Sequence, residues 1–144
     1  MHNEIRWFKY EILPSYPHLS DNEAAIWSRF ISKYPDRFNR IAYDVCVGEP
    51  RPCAEPLDEK TLRNRHYLGR YKIDVLAEDG EFFYIIELKK EATTKALGEV
   101  WLYERLFNLD YNPNKPLQSF VITDSEMPNI RATLEEENIG LIVV

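Results

Sequence analysis

Cysteine is scarce in this chain, with Cys46 and Cys53 the only two among 144 residues. Two are too few for a disulfide framework, and no CxxC spacing completes a zinc site, so both read as small buried or loop thiols. Glycine is scarce as well, at five, which argues against long disordered tracts. No apolar run approaches the roughly 20 residues that span a bilayer. The opening MHNEIRWFKY lacks the uninterrupted apolar centre of a secretory signal. The expectation is therefore no membrane, and residence in the cytoplasm or in a host cytosol. An excess of basic charge is missing too: 18 Lys and Arg against 24 Asp and Glu give a net charge of −6. Taken alone that balance opposes a nucleic-acid partner, because phosphate binding rests on Lys and Arg.

What is present is ordinary for a globular chain: 44% hydrophobic and 29% charged residues, at a length that buries about two thirds of the unfolded surface. Residues 1–144 read as one domain, with residues 1–19 as an N-terminal arm or extra strand carrying scattered aromatics (Trp7, Phe8, Tyr10, Tyr16). The acidic average conceals a local excess. The segment KTLRNRHYLGRYK carries Lys60, Arg63, Arg65, Arg70 and Lys72 with His66 and no acidic residue. It is either a phosphate-holding surface or a solvated charged loop.

Ser20 and Glu23 match a capping box, and Trp27, Phe30, Ile31 and Tyr34 follow at helical spacing, which predicts a helix from about Asp21 to Tyr34, ended by Pro35. Ile41, Tyr43, Val45 and Val47 alternate with Ala42, Asp44 and Cys46, the period of a half-buried strand. A proline-rich connection follows, with a short helix over Asp58 to His66. Tyr71 to Ala77 and Phe82 to Lys89 read as strands joined across Asp79-Gly80, a strong hairpin signal. Then come a largely buried helix from Thr94 to Leu109, a strand from Leu117 to Thr123, a solvated helix from Met127 to Glu137 started near Ser125, and a last strand from Gly140 to Val144. This order predicts an α/β domain whose mixed sheet is antiparallel in the hairpin and parallel where helices cross over.

The hairpin carries the chemistry. A two-residue Asp79-Gly80 loop pairs Ala77 with Phe82 and Asp74 with Ile85, and alternation then projects Asp74, Ile85, Glu87 and Lys89 from one face. Asp74 and Glu87 become diagonal neighbours, roughly 7–8 Å apart at Cα. Two such carboxylates on an apolar strand pair repel one another and lose hydration. A hard divalent ion between them removes both penalties, and Mg²⁺ accepts one or two carboxylates together with waters and phosphate oxygens. Lys89 adds an ammonium that can orient or help deprotonate a water and stabilise transition-state charge. The bland reading is a surface hairpin with cross-strand ion pairs, against which stands the apolar run FFYIIELKK around Glu87.

The stretch KIDVLAEDGEFFYIIELKKEATTKALGEVWLYERL resembles the central motif of the PD-(D/E)xK nuclease superfamily, in its RecB-type branch. The resemblance implies a restriction-endonuclease-like fold, a mixed β-sheet flanked by helices in the order α-β-β-β-α-β-α-β. It implies Asp74 and Glu87 as metal ligands, the Leu88 carbonyl as a third, Lys89 as the catalytic lysine, Mg²⁺ or Mn²⁺ as cofactor, and DNA phosphodiesters as substrate, with RNA left open. Two positions depart from the pattern: Ile73 stands where Pro is usual, and Glu99 stands where the branch has Gln, with Tyr103 in place. Glu99 reaches the metal or a lysine, or pairs with Lys95. Glu23 is either a water-mediated metal contact or only the capping-box partner of Ser20. Arg63, Arg65, His66, Arg70, Lys72 and Lys90 are the expected nucleic-acid contacts. The expected function is a metal-dependent endo- or exodeoxyribonuclease. The alternative is a catalytically silent nuclease-fold module that binds nucleic acid or protein, and a homodimer through the aromatic arm stays open.

Overall fold

At Ser20 the proline-interrupted arm gives way to a helix, because the two ends of the turn satisfy one another. Ser20 Oγ accepts from the Glu23 amide at 3.2 Å, and Glu23 Oε1 accepts from the Ser20 amide at 2.8 Å. Helix α1 (Asp21–Lys33) buries Ile26, Trp27, Phe30 and Ile31. The computed structural model describes residues 4–50 and 58–144, and of Arg65 and His66 only the backbone; Cys53 lies outside the described residues. The remaining elements are β1 (Arg40–Val47), α2 (Glu59–Leu68), β2 (Tyr71–Glu78), β3 (Phe83–Ala92), α3 (Thr94–Tyr111), β4 (Leu117–Glu126), α4 (Ile130–Glu136) and β5 (Ile139–Val143).

The five strands form one sheet in the order β1-β2-β3-β4-β5. It is antiparallel through β1, β2 and β3 and parallel from β3 to β5, with α3 and α4 as the crossovers, so the mixed α/β architecture expected from the element order is the one observed. One layer of core lies under α1, where Trp27 and Phe30 pack with Tyr43, Val75, Tyr84, Ile86 and Leu88. Another lies under α3, where Tyr103 and Phe107 pack with Val45, Ile73, Leu76, Phe83 and Ile85. The arm adds an isolated bridge from Phe8 to Ile41 and buries Tyr10 and Tyr16. Among the described residues no helix is long and apolar enough to cross a membrane.

Several local expectations are corrected. Strand β1 is covered on both faces, with Ala42 and Cys46 buried as well as Ile41 and Val47. The hairpin loop is two residues longer than the Asp-Gly signal implies: Glu78 pairs with Phe83, Ala77 with Tyr84 and Val75 with Ile86. The cause is Asp79, whose carboxylate accepts from the amides of Glu81 and Phe82 at 2.7 and 2.8 Å. This Asx-type turn holds residues 79–82 as the loop. An even slip leaves the faces of the paired residues as expected, with Leu76 and Ile85 on one side and Val75 and Ile86 on the other. Helix α3 is less buried than its composition suggests, since only Ala96, Val100, Tyr103 and Phe107 are buried while Trp101 and Leu109 are 60% and 66% exposed. The last helix starts at Asn129 rather than near Ser125, because β4 continues to Glu126 alongside Ala92 and Pro128 cannot donate to the ladder.

Candidate active site

The sheet splits where the carboxylates sit. Strands β2 and β3 stay paired as far as Val75 and Ile86. The next step of that register would oppose Asp74 to Glu87, and there the ladder stops. Beyond it, Tyr71, Lys72 and Ile73 pair only with β1, and Glu87 onward pairs only with β4. The amides freed at the fork are taken up by the two acids themselves. The Asp74 amide donates to Glu87 Oε2 at 3.0 Å, and the Leu88 amide donates to Asp74 Oδ2 at 3.0 Å. Each carboxylate is thus fixed by the other strand's backbone, an arrangement the sequence-derived diagonal spacing did not anticipate.

Helix α3 closes one side. Lys89 Nζ donates to Glu99 Oε2 at 2.9 Å. Lys95, one of the alternatives for Glu99, is more distant at 3.9 Å and largely exposed. Glu99 Oε1 is buried and has no hydrogen-bond partner. Tyr103, one turn on, is buried; burial raises its phenol pKa first, and the charges of Glu87, Glu99 and Asp74 raise it further.

Glu87 is only 1% exposed. Burial pushes its pKa well above the ordinary value, and the Asp74 charge adds to the rise. Burial likewise pushes Asp74 up to about 7, against the lowering effect of the Leu88 amide, with the charges of Glu23 and Glu99 raising it and Lys89 lowering it. Lys89 is driven down by burial, but the Glu99 hydrogen bond and the charges of Glu99, Glu87 and Asp74 outweigh this and hold it charged. The structure therefore brings together Asp74, Glu87, Lys89, Glu99 and Tyr103. Glu23 closes the α1 capping box and is near enough for its charge to bear on Asp74.

A hard divalent cation suits this donor set. Glu87 is buried and Asp74 half-buried, and both resist ionisation side by side, a conflict that a cation between them would relieve. Among the described residues no group of three or more His, Cys, Asp or Glu is arranged to hold a metal. Ligation would rest on Asp74 and Glu87 with backbone and water oxygens, as Mg²⁺ chemistry permits.

The expected nucleic-acid contacts divide. Lys60, Arg63 and Lys90 are exposed and Lys72 half-buried, while the side chains of Arg65 and His66 lie outside the described residues. Arg70 is a correction. Its side chain is 3% exposed, donates to the carbonyls of Gly48 and Cys46, and meets Asp110 at 3.3 Å. It ties the end of β1 to α3. Its place at the mouth of a tight turn, beside an acid on a distant helix, left no trace in the local sequence.

No family model matches the chain, and no curated protein matches it. Two solved structures are similar. A crystal structure of a repair endonuclease from Pyrococcus abyssi is 16% identical over 90% of this chain and 49% of that one, with a TM-score of 0.48. The structure of an EndoMS-dsDNA2 complex is 13% identical over 92% of this chain and 48% of that one, also with a TM-score of 0.48. The chain spans about half the length of these structures.

Proposed function

We propose that this chain is a Mg²⁺- or Mn²⁺-dependent nuclease that hydrolyses phosphodiester bonds of DNA at Asp74, Glu87 and Lys89. One observation carries the reading: a buried and a half-buried acid interlocked at a fork in the sheet, with a charged lysine beside them. When bound, a divalent ion supplies Lewis-acid polarisation of a phosphoryl oxygen and a more acidic water. Asp74, Glu87 and the Leu88 carbonyl would hold it. Lys89, kept charged, orients the attacking water and balances charge gathering on the phosphoryl oxygens, a role for a preorganised donor rather than for a base. Glu99 sets the position of the Lys89 ammonium. Lys60, Arg63, Lys72 and Lys90, with Arg65 and His66 of the same basic segment, would hold the strand by its phosphates without reading bases.

The second reading, a catalytically silent module that binds nucleic acid or protein, is favoured by the Lys89–Glu99 pair, which engages the ammonium the chemistry requires. A panel of single-stranded, duplex and branched DNA and of RNA, with and without metal, separates the two. Metal-dependent cutting lost by at least about 100-fold in Lys89→Ala supports the nuclease. Binding without cutting, and no rise of the melting midpoint with Mn²⁺, supports the silent module.

A further inference from the structure

Tyr71 opens β2 with 50% of its surface exposed, three residues before Asp74 on the same strand. Three steps along a strand are roughly 10 Å, the length of about three stacked nucleotides. The ring also shares a face with the site. Ile73 packs under α3, alternation points Tyr71 the same way, and the Tyr71 ring lies 6.0 Å from that of Tyr103 on α3. On β3, Ile86 and Leu88 pack under α1, which leaves Glu87 and Lys89 on the α3 side, where Lys89 meets Glu99. The β2 arm of the fork thus presents Tyr71, and the β3 arm presents Glu87 and Lys89, to one and the same side of the sheet.

The ring is held in place. Tyr71 pairs with Val47 of β1, and Arg70 before it is tied to the carbonyls of Gly48 and Cys46 and to Asp110. Gly48 has a φ of 79°, and a Cβ built there would stand 3.5 Å from Tyr71 Cδ2, so the turn at the end of β1 lies against one edge of the ring. Tyr103 backs it from α3, and the half that remains is open to solvent. The basic segment leads into this ring along the chain, with Lys60 and Arg63 exposed on α2 and Lys72 directly after it. Cations that track a backbone together with a fixed aromatic ring are what single strands bind to, because every base has a face to stack and only an unpaired base has that face free. In a duplex the neighbouring pairs cover both faces, and such a ring has nothing to receive.

We propose that Tyr71 stacks an unpaired base of the strand whose phosphodiester enters the Asp74 and Glu87 fork, so that the substrate is single-stranded DNA or the single-stranded part of a branched one; this deepens the nuclease reading above and rests on it. The cations hold phosphates, the ring fixes one base, and the link to be cut lies within about three nucleotides of that base. Tyr71 selects for the absence of pairing and reads no base identity.

The test follows cutting in Mn²⁺, at nucleotide resolution, of an end-labelled single strand, of the same strand with one abasic residue, and of the same sequence as a duplex. The unchanged protein should cut a link within about three nucleotides of the abasic residue about 10-fold more slowly than it cuts that link in the intact strand, the loss of one stacked base. Tyr71→Ala should cut the intact strand about 10-fold more slowly, narrow the advantage of single strand over duplex by the same factor, and lose nothing more at the abasic residue. Tyr71→Phe keeps the ring and should restore all three. Equal Tyr71→Ala losses on single strand and duplex, losses that multiply with that of the abasic residue, or an abasic residue without effect on the unchanged protein would overturn the assignment while leaving the nuclease reading standing. If the unchanged protein cuts neither single strand nor duplex, the nuclease reading fails and takes this assignment with it.

Discussion

Replacing Asp74 by Asn should stabilise the metal-free protein above neutral pH, although it removes a residue at the centre of the site. The Asp74 carboxyl is raised from 3.8 to about 7 in the fold, chiefly by burial. The folded state therefore binds the proton more tightly than the unfolded chain does. Stability contributed by the neutral acid is complete below pH 3.8 and is lost progressively as pH rises toward 7. The difference of about 3 units corresponds to roughly 4 kcal/mol at 1.36 kcal/mol per unit. Asp74 keeps some contact with solvent, and halving the figure for screening leaves about 2 kcal/mol. Asparagine keeps an oxygen for the Leu88 amide and carries no charge to desolvate. It also relieves Glu87, whose pKa is raised by burial and then by the Asp74 charge. Thermal melts in EDTA should show Asp74→Asn about 4–8 °C above the unchanged protein at pH 8 and nearly level with it at pH 4. With Mn²⁺ at about 100 times its Kd the order should reverse, since only the intact site gains about 2.7 kcal/mol from binding. A variant that melts below the unchanged protein at pH 8 in EDTA would refute the account of two acids in conflict.

Four other substitutions probe separate parts of the molecule. Arg70→Ala should cost about 3 kcal/mol in urea melts by leaving Asp110 without its buried partner, whereas Lys72→Ala should leave stability nearly unchanged and lower the salt slope of DNA binding by about 1. Equal effects of the two on binding would return Arg70 to the DNA surface. Arg131 donates to the Leu141 carbonyl at 3.0 Å on the edge strand β5 while Glu126 holds its guanidinium, so Arg131→Ala should expose that edge and produce concentration-dependent self-association by light scattering. Gly140→Ala would put a Cβ 2.3 Å from the Phe120 ring, which is stacked on Tyr84; the displacement should cost about 1–3 kcal/mol by urea denaturation.

The elements were legible in the sequence where local chemistry decides them. The Ser20 capping box, the strand around Tyr43 and the apolar run into Glu87 each specify an element within a few residues, and each element formed where expected, although β1 is buried on both faces rather than one. The face shared by Asp74, Glu87 and Lys89 was legible for a more forgiving reason. Reading the turn two residues too short moved every cross-strand partner, yet an even slip cannot turn a side chain over. What depends on distant chain was hidden. The length of the hairpin loop depends on Asp79, which also meets Arg37 at 3.2 Å. Exposure of Trp101 depends on which flank of α3 meets the sheet. His18 Nε2 stands 3.8 Å from Asp44 Oδ2 although the two are 26 positions apart in sequence, and no spacing rule joins them. The one local signal was an acid inside a strand whose neighbours on both sides are buried, and it was read as an ordinary outward residue.

The position of the site follows from the backbone rather than from the acids. Along β1 and β2, Tyr43 and Val75 belong to the core under α1, while two residues away Val45 and Ile73 belong to the core under α3. Residues two apart in a regular strand share a face, so both strands must turn over between these pairs, at Asp44 and Asp74. Strand β3 does not: Tyr84, Ile86 and Leu88 all stay under α1. A pair of strands that rotates against a third that does not cannot keep its ladder, and the ladder between β2 and β3 ends at Val75 and Ile86. The amides released there need acceptors, which is why carboxylates are tolerated in the middle of an apolar sheet and why they arrive already fixed. Restoring a regular strand at residue 44 should therefore close the fork. Asp44→Val, a β-branched residue that resists the φ of 55° held there, should lower metal affinity measured by calorimetry even though residue 44 is no ligand; unchanged affinity would separate the turnover of β1 from the opening between β2 and β3.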